Sequence, residues 1–205
     1  MEQKDIINHT KISGEITKEP ILSHTSYEEN FYEVTMKVDR FSDSSDTLTS
    51  IISEKLIDIS KLTIGTFISI DGELRTYNII ENKANKLKIV VFAKNIKILA
   101  EKQDLNDVHF VGYICKKPIY RTTPLGREIC DVIVAINRNY HKSSYIPVIG
   151  WGRNAKYLGD LEVGQKIECF GRFQSREYNK KIDDQSVKKV AYEISLSKVK
   201  KIEEN

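Results

Sequence analysis

The chain carries one pattern twice, and this limits its fold more than anything else in it. "SGEITKEPIL" and "VGYICKKPIY" align without a gap, matching Gly14 with Gly112, Lys18 with Lys116, Pro20 with Pro118 and Ile21 with Ile119 at an offset of 98. The same offset relates "VTMKVDR" (Val34 to Arg40) to "VIVAINR" (Val132 to Arg138), and an offset of 99 relates "LTIGTFISIDG" (Leu62 to Gly72) to "LEVGQKIECFG" (Leu161 to Gly171). Three blocks in one order, at nearly constant spacing, mean two copies of one domain.

Each copy reads as strands. Val132, Val134 and Ile136 alternate with Asp131, Ile133, Ala135 and Asn137, and Ile167, Cys169 and Phe173 alternate with Glu168, Phe170 and Arg172. A period of two belongs to strands with one face in a core. Gly126, Gly164 and Gly171 punctuate these runs, while "RNAKYLGDLEVG" reads as a short helix with Ala155 and Leu158 on one side and Gly159 or Gly164 as its stop. The pattern predicts an all-β chain of two tandem OB-fold barrels, each five-stranded with a short helix. The expected boundaries are 1–100 for the N-terminal copy, 101–109 ("EKQDLNDVH") for a polar linker and 110–205 for the C-terminal copy.

The formal net charge of +3 is unevenly spread: residues 1–100 hold 13 Lys+Arg against 15 Asp+Glu, and residues 101–205 hold 19 against 14. Residues 111–182 alone carry 13 basic and 6 acidic side chains, so an anion-seeking surface belongs there. Cys115, Cys130 and Cys169 are widely spaced in apolar runs, which reads as reduced structural thiols and not as a disulfide framework or a metal pair. The N-terminal "MEQKDIINHT" lacks the pattern of a signal peptide, and no apolar run approaches membrane-spanning length, so a cytoplasmic protein with no membrane partner is expected. The four histidines are scattered, no Gly-rich nucleotide loop is present and no carboxylate cluster has metal-site spacing, so neither catalysis nor a metal or cofactor is expected.

In the second copy the rings fall beside cations. Tyr113 and Tyr120 lie near Lys116, Lys117 and Arg121; Tyr140 lies near Arg138; Tyr145 and Trp151 lie near Arg153; Tyr178 lies near Arg176. Single-stranded nucleic acid asks for that combination, since each exposed base offers a π-face and each nucleotide a phosphate charge. The plainer reading is that these rings cap a barrel core with their polar atoms at the surface. Stacking and phosphate contacts do not read the sugar 2′-OH, so DNA and RNA both stay open on this ground.

The run from Gly112 to Lys181 also resembles the bacterial single-stranded DNA-binding protein family over about seventy residues. In that family there recur a glycine-led first strand, an R-x-T-x-x-G turn, an apolar strand ending in Asn-Arg-aromatic, an aromatic-rich third strand ending in Gly, and a late G-x-[LF]-x-[ST]-R-x-[WY]. The resemblance places Tyr140, Tyr145, Trp151 and Tyr178 where the family stacks bases, and puts Arg121, Arg138, Arg153, Arg172 and Arg176 within or beside its motifs as candidate phosphate contacts, with Tyr120, Lys116 and Lys117 alongside. It implies a protein that binds single-stranded DNA without strong sequence preference and protects it in replication, repair, recombination or DNA transfer. The family presents four barrels, so a chain with two is expected to form a homodimer.

Two departures shape the expectation. In the first copy the gap-free equivalents of Tyr145 and Trp151 are Thr47 and Ser53, and residues 1–100 hold seven aromatics against eleven in the remainder, which reads as a degenerate barrel for assembly or weak strand contact, with Tyr32, Phe41 and Tyr77 as its remaining rings. The chain also runs from strand-like "VAYEISLSKVKKI" straight to "EEN", without the Gly/Pro/Gln-rich tail and acidic tip that the family uses to recruit replication and repair enzymes. The competing expectation is an OB-fold interaction or primosome-type module in which nucleic-acid contact is secondary.

Overall fold

A computed structural model describes residues 7–40, 42, 44–81, 84–139, 142–182 and 185–203. The first copy comprises β1 (Asn8–Ile16), β2 (Ile21–Ser26), β3 (Glu29–Asp39), β4 (Ser45–Ser53), β5 (Phe67–Glu81) and β6 (Ala84–Ile98). The second comprises β7 (Asn106–Ile114), β8 (Ile119–Thr122), β9 (Glu128–Arg138), β10 (Lys142–Trp151), α1 (Arg153–Gly159), β11 (Lys166–Ile182) and β12 (Gln185–Lys201). Where the second copy has α1, with Ala155 and Leu158 fully buried, the first has only a 3₁₀ turn at Ile59–Lys61. Among the described residues no helix is long and apolar enough to cross a membrane.

Five strands of each copy close on themselves. In the first, β3 pairs antiparallel with β1 and β4, β4 pairs parallel with β6, and β5 joins β6 to β1. In the second, β7–β9–β10, a parallel β10–β12 and an antiparallel β12–β11–β7 repeat the circuit. This is the OB barrel, and the parallel closure of third strand on fifth is its mark. β2 and β8 add outside β3 and β9 as short hairpin arms. A barrel this small can close only where two backbones approach closely: a Cβ on Gly14 would lie 2.3 Å from the Lys37 carbonyl oxygen, and one on Gly112 2.6 Å from that of Ala135. The two glycines of the opening alignment are therefore the closing points of the two barrels.

The alternation read from the sequence points inward as expected. Val134, Ile136, Ile167, Cys169 and Phe173 are fully buried, as are Ile12, Val34, Met36, Leu48 and Ile70 in the first barrel. Each such side chain contributes roughly 1.5–3 kcal/mol of burial. Even spacing alone keeps Ile167, Cys169 and Phe173 on one face; the bulge opposite Gly171, which skips Ser197, brings Leu196 and Ile194 of β12 onto that face beside Val199, and the one opposite Gly72, which skips Lys94, does the same for Ala93 and Val91 of β6.

The copies are fused edge to edge. β1 and β7 pair antiparallel from Asn8↔Phe110 to Ile12↔Asn106, making a single 12-stranded sheet with His9 opposite His109 near an approximate two-fold axis. Residues 106–109, assigned to the linker from their polarity, thus open β7. Their polar side chains face outward or cap neighbouring backbone, so composition alone mistook an edge-paired strand for a loop. The Asn106 amide bonds Phe173 O at 2.7 Å and the Phe173 N–H at 2.8 Å, and Asn8 does the same to Leu74 at 3.0 Å each way.

Candidate nucleic-acid interface

Strand register decides which of the candidate side chains share a face. In β9 and β10, Ala135 lies opposite Tyr145, Ile133 opposite Pro147, and Ile129 opposite Trp151. The parallel pair Ile149↔Ser195 carries that face onto β12, and Arg172↔Ser195, Gln174↔Glu193, Arg176↔Ala191 and Tyr178↔Lys189 carry it onto β11. On the other side, Ile119↔Asp131 and Arg121↔Ile129 extend it to β8. Directly opposed residues project to one side of a sheet. Tyr145, Trp151, Tyr178, Arg121, Arg172 and Arg176 therefore share the outer face of the second barrel.

The rings on this face differ in access. Tyr145 is 51% exposed and Tyr178 38% exposed, with the Arg176 guanidinium 5.9 Å from the Tyr178 ring centroid. Trp151 is half-buried and lies on the outside of the barrel, not in its core. Its indole Nε1–H donates to Ser195 Oγ at 3.2 Å, which fixes the ring across β12. Tyr120 is on the opposite face of β8, beside Gly159 of α1, and its hydroxyl donates to Glu128 at 2.6 Å. Tyr140 lies outside the described residues.

The cations separate into three groups. Lys116, Lys117 and Arg153 are exposed on turns and at the first position of α1. Arg121 and Arg176 are on the outer face but held by carboxylates: Arg121 Nε donates to Asp131 at 2.9 Å, and Arg176 grips buried Glu193 through Nε at 3.1 Å and Nη2 at 3.3 Å. That hydrogen bond raises the Arg176 pKa above its ordinary value. Arg138 and Arg172 turn toward the joint between the barrels. Burial lowers both their pKa values, Arg75 of the first barrel adding repulsion at Arg138, and the Nε of each is buried with no partner among the described residues.

That joint is built from equivalent pieces with different chemistry. Buried Asp46 takes Arg40 Nη2 at 2.6 Å and the Ser175 N–H at 2.7 Å, with Arg172 Nη2 at 3.6 Å. At the equivalent place the second barrel has Ser144, whose Oγ accepts from the Thr76 N–H at 3.3 Å, while the Tyr145 N–H donates to Thr76 Oγ1 at 3.0 Å. Tyr145 is thus anchored by the first barrel.

The model of the single-strand binding protein family matches residues 105–202. Just under half of the chain is therefore similar to that family. The match falls on the second barrel, whose outer face carries these rings. The Staphylococcus aureus "Single-stranded DNA-binding protein 1" is 33% identical over 81 residues, covering 36% of this chain and 48% of that protein. The Bacillus subtilis "Single-stranded DNA-binding protein A" is 32% identical over 81 residues, covering 36% and 47%. The chain spans about half the length of these relatives. Its fold is similar throughout to the crystal structure of the wild-type single-stranded DNA binding protein from Thermus aquaticus, with a TM-score of 0.76 at 18% identity over 98% of this chain and 95% of that one.

The carboxylates that hold the arginines, Asp131 and Glu193, were not singled out from the sequence. Alternation in "VAYEISLS" puts Ala191, Glu193 and Ser195 on one side, which is the signal that was available for Glu193. Among the described residues no group of three or more His, Cys, Asp and Glu could hold a metal ion.

Proposed function

We propose that the chain binds single-stranded DNA without strong sequence preference, stacking bases on Tyr145, Trp151 and Tyr178 and drawing phosphates to the surrounding cations. The observation that carries this is the register-defined face on which those three rings lie with Arg121 and Arg176. The family match over the same barrel supports it. Stacking supplies about 1–3 kcal/mol per base and is tolerant of sequence, since every base has a π-face. Lys116, Lys117 and Arg153 supply a diffuse field. Arg121 and Arg176 contribute when a phosphate competes with Asp131 or Glu193, and Arg138 and Arg172 set the potential at the joint. Tyr140 completes the proposed ring set. Protection of exposed strands in replication, repair, recombination or DNA transfer is the corresponding role, and a homodimer presenting four barrels is the proposed assembly.

The test is a filter-binding comparison of oligo-dT, the same length of duplex DNA and the same length of RNA at two salt concentrations. Tight, salt-weakened binding of the single DNA strand is expected. Equal retention of duplex, or no retention of any nucleic acid, would refute the proposal and favour an interaction module.

A further inference from the structure

The outer face of the first barrel is not bare of rings. Register places Thr47 and Ser53 at the positions of Tyr145 and Trp151, as the sequence alignment requires. Yet the neighbours of Ser53 are exchanged as well. Trp151 lies between Ile129 on β9 and Ser195 on β12, whereas Ser53 lies between Phe31 on β3, directly opposite it, and Phe92 on β6, which pairs with Ile51 just as Ser195 pairs with Ile149. One large ring between two smaller side chains has become one small side chain between two rings.

Those rings form a stack. His24 on β2 lies parallel to Phe31, with centroids 4.8 Å apart and planes 5° apart. Phe31 meets Phe92 at 5.7 Å and 34°, and the Arg75 guanidinium sits 3.4 Å from the Phe92 centroid. Phe31 and Phe92 are half-buried and His24 is exposed, so the outer end of this series of planar groups is open. The cations around it are held by carboxylates: Arg75 and Lys94 by Glu73, Lys88 by Glu33, and Lys55 by Glu29.

We infer that His24, Phe31 and Phe92 form a second, separate base-stacking platform on the first barrel, which engages single-stranded nucleic acid mainly through ring contact and little through charge. The inference rests on the function proposed above, since it takes the same ligand. A base extends the series over His24, or replaces the imidazole on Phe31. Because the local cations are already neutralised, this platform releases few counterions, and its share of the affinity survives high salt while that of the second barrel fades. The first copy is then not a degenerate barrel but one whose platform has moved to the flanking strands.

The experiment compares fluorescence anisotropy of labelled oligo-dT of about 10 and about 30 nucleotides, one short enough for a single barrel and one long enough for two. The full chain and the Phe31→Leu/Phe92→Leu variant are measured at low and high salt, with thermal unfolding alongside. The variant is expected to bind the short strand like the unaltered chain and to lose at least about fivefold of the tightening on lengthening, with the deficit persisting at high salt. An unchanged gain on lengthening in a folded variant would overturn the platform and leave the proposed function standing. No binding of either length by the unaltered chain would refute both. Independently of folding, photocrosslinking of 4-thiothymine-substituted oligo-dT to the unaltered chain is expected to yield adducts on His24, Phe31 or Phe92. Adducts confined to the second barrel would overturn the inference.

Discussion

Trp151 is the only tryptophan in the chain, so its emission reports one place on one barrel. It is half-buried, lies opposite Ile129 and donates to Ser195 Oγ at 3.2 Å. Truncating a fully buried Trp costs about 3–5 kcal/mol, and a side-chain hydrogen bond contributes about 0.5–1.5 kcal/mol. With part of the indole already in water, Trp151→Ala should lower stability by about 2 kcal/mol, read from denaturant unfolding followed by circular dichroism. Loss of a stacking surface should cost a further, separate 1–3 kcal/mol of binding, which is about 5- to 150-fold in Kd. Trp151→Phe should restore most of that binding, because a phenyl ring stacks but cannot reach Ser195. In the unaltered chain, oligo-dT should quench the emission, and Ser195→Ala should shift the emission of the free protein while leaving the quenching intact. Emission unchanged at saturating oligo-dT, together with Trp151→Ala binding like the unaltered chain, would show that the indole is only a lid on the barrel and that the stacking assignment is wrong.

Other outcomes follow from the same contacts. Asp46→Ala removes a buried carboxylate from between Arg40 and Arg172 and should destabilise the chain by about 3–5 kcal/mol in denaturant unfolding; Asp46→Asn should cost less. The logarithm of affinity for oligo-dT should fall with the logarithm of salt at about −0.7 per phosphate neutralised, and Lys116→Ala/Lys117→Ala should flatten that slope; an identical slope would remove those lysines from the interface. The hydrogen bond from His109 at 2.9 Å, aided by Lys200, holds the Glu168 carboxyl below its ordinary value of 4.5. A carboxyl lowered in the folded state stabilises above its unfolded value and loses that contribution as pH falls through the folded one. The melting-temperature advantage over Glu168→Gln should therefore be full at neutral pH and vanish on acidification below 4.5. Burial pushes the Cys130 thiol up to about 11 and that of Cys169 higher still, so a thiol reagent at neutral pH should label neither until the chain is unfolded.

The sequence disclosed whatever depended on local period and repetition. Offsets of 98 and 99 reappear as register: Lys37↔Thr47 answers Ala135↔Tyr145, and the bulges at Gly72 and Gly171 coincide. Alternation placed Val134 inward, whereas only the family resemblance set Tyr145 among the outward rings. Side-chain partners brought together from distant positions were not legible. Arg176 reads as a cation available to phosphate, but the hairpin of β11 and β12 lays it on Glu193, and Arg172, which shares the strand, reaches Asp46 in the other copy. The ring series of the first barrel was hidden for a related reason. A gap-free alignment compares like positions, and it reported Thr47 and Ser53 correctly, but the rings had moved to strands beside those positions, where His24, Phe31 and Phe92 looked unrelated.

The pairing of β1 with β7 has a further consequence, because the two halves of the joint are tethered by peptide bonds. A joint between identical subunits repeats every contact across its axis and dissolves on dilution. Here the pairing is intramolecular, so its effective concentration is fixed by the short segment between β6 and β7 and does not vary with the amount of protein. Freed from symmetry, each side of the axis can change alone. The buried carboxylate of Asp46 is answered at the equivalent place by the hydroxyls of Ser144 and Thr76, an arrangement that two copies of one subunit could not adopt without placing both versions at both sites.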